Sequence, residues 1–295
     1  MKKNYNLAIS LKFCNLFLFT IMSVLMVTLG SKLHVIQISF LRVFFGCFIA
    51  FLYLLIIKQN ISFSLSPKVL AAYILRAVLN FVALVLWVKA LHLLGLNEAS
   101  AISYMVPIWT TLLATIFCGE KLNLKCAGAI LVSLIGMFII LKPNIYEFKV
   151  EGLIIAFAST LMWAGYDITC KKQTTTEHYM LQTFYTFMWS SIISFPFALY
   201  YWQPVEMIDI FDASIISVIG VTNVTVLFLS YKFAPITVLM PFSYCRLIFM
   251  GIASYLIYNI YPGSHLIIGA CVIALASFYI FIEQKKGKLQ VEVKS

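Results

Sequence analysis

Long apolar runs separated by short polar stretches make up nearly the whole chain, and their lengths decide the element type. Ten runs are read, over residues 7–29, 34–57, 68–91, 97–118, 123–141, 152–170, 179–201, 212–233, 236–258 and 264–282. A helix needs about 20 apolar residues to cross the hydrocarbon core of a bilayer. Only helices and closed barrels satisfy the backbone there, and these runs lack the alternation of a barrel strand. The pattern predicts an all-α integral membrane protein with ten transmembrane helices. Met1-Lys2-Lys3 ahead of apolar sequence imitates a secretory signal. The run continues to Val27 with no small-residue cleavage site, so it reads as a retained first helix.

Composition agrees. Of 295 residues, 62% are hydrophobic and 11% charged, against about 25% charged in a soluble domain. That excludes a cytosolic enzyme, a secreted domain and a disordered scaffold. The net charge of +10 lies between the apolar runs rather than along a stripe with stacking aromatics, so nucleic acid is not an expected partner. It sets orientation instead. Lys2, Lys3, Lys12, Lys58, Lys68, Lys121, Lys125, Lys171, Lys172, Lys232, Lys285, Lys286, Lys288 and Lys294 fall on one side. Lys32, Lys89, Lys142 and Lys149 fall on the other, with Glu206, Asp209 and Asp212. Positive charge stays inside, which places both termini in the cytoplasm of a bacterial cell with the chain multi-pass in the inner membrane. The even number of spans agrees.

The seven cysteines are scattered and form no C-x-x-C or Cys/His group, so neither metal site nor disulfide framework is expected. His34, His92, His178 and His265 stand at span ends, where an interfacial position explains them. No nucleophile and base stand in a catalytic relation, and no phosphate-cradling glycine loop occurs. The sequence therefore predicts no enzyme and no cofactor.

The two halves resemble one another. Gly128-Ala129, Leu134, Gly136, Phe138 and Ile139 recur as Gly269-Ala270, Leu275, Ser277, Tyr279 and Ile280. Ala99 and Pro107 in the fourth span are echoed by Ala234 and Pro241 in the ninth. Two five-span halves must insert with opposite orientation, the inverted-repeat plan of secondary transporters, with the substrate site near the midplane. The glycines read as packing positions. Pro107 and Pro241 read as mid-helix prolines that free a carbonyl toward protein or water, hence hinge or gating candidates.

Here a resemblance becomes specific. Ile38-Ser39-Phe40-Leu41-Arg42, Ile74-Leu75-Arg76, Pro107 with Phe117-Cys118-Gly119-Glu120-Lys121, and the Gly128/Gly136 pair with its second-half counterparts carry it. Over essentially its whole length the chain resembles the drug/metabolite transporter superfamily with two EamA-type repeats. The resemblance implies a first repeat over 1–146, a second over 147–285 and a cytoplasmic tail over 286–295. Within the superfamily it is most similar to S-adenosylmethionine uptake carriers of intracellular bacteria, through Tyr166-Asp167-Ile168 with Lys171-Lys172, Phe195-Pro196 with Tyr201-Trp202, and Pro241-Phe242-Ser243-Tyr244 with Tyr255, Asn259 and Pro262. One departure is that Gly119-Glu120 has no second-repeat acid, Ile260 standing in its place.

Charges within the spans mark the candidate site, because a charged side chain at mid-membrane costs about 2.5–3.5 kcal/mol on insertion scales and faces the bundle interior. Arg42, Arg76, Asp167 and Arg246 qualify. Three arginines against one aspartate call for a substrate carboxylate, a phosphate or backbone carbonyls. An amino-acid-like substrate suits the set: an arginine for its carboxylate, Asp167 for its ammonium, and aromatic faces for a flat or cationic part. Trp87, Tyr104, Trp109, Trp163, Tyr166, Tyr185 and Tyr244 are the available aromatics. Two plainer readings stay open: Asp167 pairs with Lys171 at i+4, and Arg76 snorkels to the surface. The expected function is secondary or exchange transport of a small zwitterionic or cationic metabolite by alternating access. The resemblance favours S-adenosylmethionine uptake in exchange for S-adenosylhomocysteine. An amino-acid or drug exporter of the same superfamily is the alternative, and a membrane enzyme or assembly factor a more remote one. The expected partners are the small-molecule substrate and the lipid bilayer, with a homodimer left open.

Overall fold

Apolar runs fold as helices here because nothing in lipid competes for the backbone hydrogen bonds. A computed structural model describes residues 4–30, 33–58, 66–103, 105–120, 124–141, 150–173, 178–258 and 264–285. Tyr5–Gly30 is α1, Val35–Ile56 α2, Pro67–Ser103 α3, Val106–Phe117 α4, Leu124–Leu141 α5 and Val150–Gln173 α6. Tyr179–Tyr200 is α7, Met207–Phe233 α8, Ile236–Leu239 the single turn α9, Arg246–Tyr258 α10 and Ser264–Lys285 α11, with a 3₁₀ turn over Pro241–Cys245. No β-strand occurs among the described residues. Among the described residues six segments are long and apolar enough to cross a membrane: Tyr5–Met26, Val35–Ile56, Pro67–Leu94, Val150–Gln173, Met207–Phe233 and Ile236–Ile257.

Two expected helices come out differently. Helical bonding in α3 runs through Ser103 rather than stopping near residue 91. Leu94 packs against Gly152 at the start of α6, whereas Phe117 lies under Lys172 at its other end, so the chain turns back between those points. The ninth run is not one helix either. It breaks into α9, the 3₁₀ turn and α10. Neither proline sits inside a helix as expected: Pro107 and Pro241 each occupy the first turn of a new helical segment, where the missing N–H costs nothing.

Three pairs of long helices pack antiparallel. Asn15 of α1 and Asn223 of α8 exchange side-chain amide bonds to each other's carbonyls at 3.2 and 2.6 Å. On α2 and α7, Phe51 meets Phe184 and Phe40 meets Phe195. On α3 and α6, Ser159 donates to the Ala83 carbonyl and Gly165 faces Leu79. Small residues set the spacing. A Cβ on Gly46 would stand 2.4 Å from the Phe187 ring, and one on Gly136 would stand 2.9 Å from the Gly269 carbonyl, joining α5 to α11. Gly128, also read as a packing position, faces open space.

One acid and one lysine pin the α8–α9 junction. Gly119, at φ +64°, turns the chain after α4 through a conformation glycine adopts freely. The next residue, Glu120, is buried, and its two carboxylate oxygens accept the N–H groups of Ile236 and Thr237, each at 3.0 Å. From α6, Lys171 donates to the carbonyls of Tyr231 and Ala234. Negative charge thus meets a helix start and positive charge a helix end, both favourable. The Lys171 ammonium thus caps the end of α8, a role not contained in the open reading of an Asp167–Lys171 pair.

Candidate functional site

A chamber opens between the two halves of the chain, about 90 Å³ of it admitting water-molecule centres. Helices from both halves bring side chains to it. On α1, Lys12, Asn15, Leu16, Phe19 and Met22 recur at helical spacing and line one face. Asn223, Val224, Leu227 and Tyr231 do the same on α8. Arg42 comes from α2, Trp87 from α3, and Trp163, Tyr166 and Asp167 from α6. Met240, Ser243 and Arg246 come from the broken ninth segment, where three residues per turn in the 3₁₀ stretch align them. Ser103 at the end of α3 and Val106 and Pro107 in the first turn of α4 close the wall.

The sequence candidates divide. Arg42, Arg246, Asp167, Trp87, Trp163, Tyr166 and Pro107 line the chamber. Arg76 does not. It is fully buried between α3 and α7, its two terminal nitrogens donating to Thr186 at 3.3 Å and Gln182 at 3.1 Å, with its guanidinium 4.6 Å from the Phe228 ring centre. Neither snorkelling nor chamber contact describes it. Trp109 packs edge-on against Phe157, while Tyr244 and Pro241 are buried beside the chamber without lining it. Tyr104 lies outside the described residues, as do Asn259, Ile260, Pro262 and the tail over 286–295.

Sequence reading missed Lys12. Counted among the orienting surface charges, it is 5% exposed, with its ammonium 5.7 Å from the Tyr231 ring centre. The available signal was its position inside the first apolar run, five residues past its start and on one helical face with Asn15 and Phe19. Asp167, 9% exposed, accepts a long 3.4 Å bond from the Thr110 hydroxyl. Lys12, Arg246 and Tyr231 line the same chamber as Asp167. Arg246 spans the chamber to donate to Ser103 Oγ at 2.6 Å, and its guanidinium lies 4.7 Å from the Phe19 ring centre. Phe19 also contacts Trp87 at 6.0 Å and Trp163 at 6.4 Å, and Trp163 meets Tyr166 at 5.5 Å, an aromatic wall from α1 through α3 to α6.

The helical repeats and the central polar chamber fit a known family. Its pattern matches residues 6–142 and again 150–282. The chain belongs to the EamA-like transporter family. As an EamA-like transporter it is a multi-pass membrane protein. It is 28% identical over 262 residues to an S-adenosylmethionine uptake transporter of Rickettsia bellii, covering 88% of each chain, and 26% identical to one of Rickettsia prowazekii, covering 88% of this chain and 87% of the other. Lower similarity, 24% over 231 residues and 76% of both chains, links it to a riboflavin transporter of Vibrio cholerae. A crystal structure covered over its full length superposes on 97% of this chain with TM-score 0.78 at 15% identity, a likeness of fold.

Proposed function

We propose that this EamA-like transporter is a secondary carrier that moves a small zwitterionic or cationic metabolite by alternating access, with S-adenosylmethionine uptake, in exchange for S-adenosylhomocysteine, as the leading substrate assignment. The observation that carries it is the convergence of Lys12, Arg42, Arg246 and Asp167 on one aromatic-walled chamber between the halves. S-adenosylmethionine offers a match for each part: a carboxylate for a guanidinium, an ammonium for Asp167, and adenine and sulfonium for Phe19, Trp87 and Trp163. The uptake role itself rests on the similarity to the Rickettsia transporters. In this reading residues 1–146 and 147–285 are inverted repeats, both termini are cytoplasmic, and the membrane is the bacterial inner membrane.

The chamber volume supports movement of the halves. At roughly 10–15 Å³ per water, 90 Å³ holds a handful of waters, whereas metabolite-sized ligands occupy pockets of about 300–1,000 Å³. The broken segments that begin at Pro107 and Pro241 are the hinges in this scheme. Export is the second reading, favoured by 22% identity over 180 residues to a pseudopaline exporter of Pseudomonas aeruginosa.

Purified protein in proteoliposomes should take up labelled S-adenosylmethionine saturably, with S-adenosylhomocysteine competing. Asp167→Asn and Arg246→Ala should each cut the rate at least about tenfold, one charge-assisted bond lost, with normal insertion. Uptake no faster than into empty vesicles removes the substrate assignment. Wild-type rates in both variants remove the site.

A further inference from the structure

Among the described residues, the arginines buried within the spans differ in how their guanidinium groups are held, and only Arg42 has two of its nitrogens buried without an acceptor. Arg246 is engaged by Ser103 and Phe19, Arg76 by Gln182 and Thr186, and Lys12 points into a chamber it shares with Asp167. Arg42 is 2% exposed and lines the chamber, yet among the described residues its Nε and Nη1 have no hydrogen-bond acceptor. Its ring neighbour Phe187, 5.6 Å away, offers a face but no acceptor. Space for the guanidinium is built in. It packs on Gly220 of α8, where even a methyl group would stand 3.1 Å from Arg42 Nε. Trp87, another chamber residue, also has a buried indole N–H without an acceptor.

A guanidinium held this way costs free energy unless an anion completes it, because a buried, unpaired donor loses its water without replacement. We infer that Arg42 is the carboxylate-binding subsite of the chamber, that Trp87 supplies a further donor there, and that a free carboxylate is an obligatory element of whatever the carrier transports. The planar fork takes the carboxylate through paired N–H bonds. Charge balance points the same way: Lys12, Arg42 and Arg246 against Asp167 leave the chamber positive. A purely cationic ligand is repelled there, while one bearing a carboxylate brings the missing negative charge. The inference deepens the proposed function by naming the group selected. It does not depend on S-adenosylmethionine being the ligand.

The test uses the full chain in detergent and matched pairs that differ only in the carboxylate: S-adenosylmethionine with its decarboxylated form, methionine with 3-(methylthio)propylamine, and arginine with agmatine. A bound ligand raises the melting temperature in proportion to its affinity. The acid of at least one pair should bind on the order of 10- to 100-fold more tightly than its amine, the worth of a charge-assisted bidentate contact. That ratio should collapse toward one in Arg42→Gln and recover only partly in Arg42→Lys, which restores charge without the fork. Gly220→Ala, crowding the guanidinium, should weaken the acids alone. Equal binding of both members of the pairs in the wild type, or no stabilisation by any acid, overturns the subsite without needing a folded variant. If methionine or arginine shows the ratio while S-adenosylmethionine does not bind, the substrate assignment fails and the subsite stands. If S-adenosylmethionine binds as tightly as its decarboxylated form and no other pair shows the ratio, the reverse holds.

Discussion

His34 and His178 occupy matching places, one residue before α2 and one before α7, the helices that pair across the bundle. Each ring accepts a backbone N–H of the first turn through Nδ1: Ile36 at 3.3 Å and Met180 at 3.4 Å. Sequence reading placed them at span ends for want of anything better. Capping was not legible, because histidine is not among the usual cap residues. The role carries a pH dependence at His178. Partial burial, aided by the charge of Lys232, holds its pKa below the ordinary 6.5, so the ring stays an acceptor at neutral pH. The unfolded chain protonates this ring at a higher pH than the folded one, so stability rises with pH through that interval. It is lost as pH falls from 6.5 toward the lower folded value. Thermal melts from about pH 8 down to about pH 5 should show this acid-side loss in the wild type and less of it in His178→Asn, which caps without titrating. An unchanged profile in the variant would assign the loss elsewhere. Lys12 teaches the complementary lesson. Its run was read correctly, yet whether a lysine seven residues into a helix reaches the surface or the interior depends on which face the neighbouring helices cover. Only the packing of α1 on α8 decides that.

At the scale of elements, the prolines announced irregularity and the structure decides its form. Pro107 and Pro241 were read as mid-helix prolines, but a proline is compatible with a kink or with a fresh helix start, and the choice is made by what satisfies the freed backbone groups. For the ninth segment that partner comes from the other half of the chain. Glu120, 116 residues earlier, supplies the acceptor for Ile236 and Thr237. The Gly119-Glu120 pair was legible as a marker of the first repeat, but its contact with α9 was not, because no periodicity encodes a long-range cap. Glu120→Gln keeps one carbonyl oxygen and places an amide NH₂ against a second N–H donor. The expected cost is about 1–3 kcal/mol for a buried donor left unpaired. A lowered melting temperature in detergent, with a smaller loss for Lys121→Gln as a neighbouring charge control, is the outcome that agrees. Equal losses would show that charge alone matters, rather than the cap.

Across the whole molecule the helix pairings repeat with the halves exchanged. α1 packs on α8 as α6 packs on α3, α2 on α8 as α7 on α3, and α1 on α10 as α6 on α4, while α2–α7 and α5–α11 map onto themselves. Sequence similarity between the halves was degenerate because lipid-facing positions accept almost any apolar residue. What persists is the set of positions where backbones approach, as at Gly136 against Gly269. Antiparallel pairing fixes the ends. His34 before α2 stacks on Tyr201 after α7 with ring centres 4.4 Å apart, so the start of one helix and the end of its partner lie at the same membrane face. If consecutive spans alternate in direction, an exchange that pairs α2 with α7 antiparallel requires the two halves to be inserted oppositely. The prediction is topological. In a variant lacking the native cysteines, single cysteines at His34 and Tyr201 should react with a membrane-impermeant thiol reagent from one side of sealed vesicles. Cysteines at Lys58 and His178 should react only from the other. Reaction of His34→Cys and Tyr201→Cys from opposite sides would break the antiparallel pair, and with it the central chamber that the pairing creates.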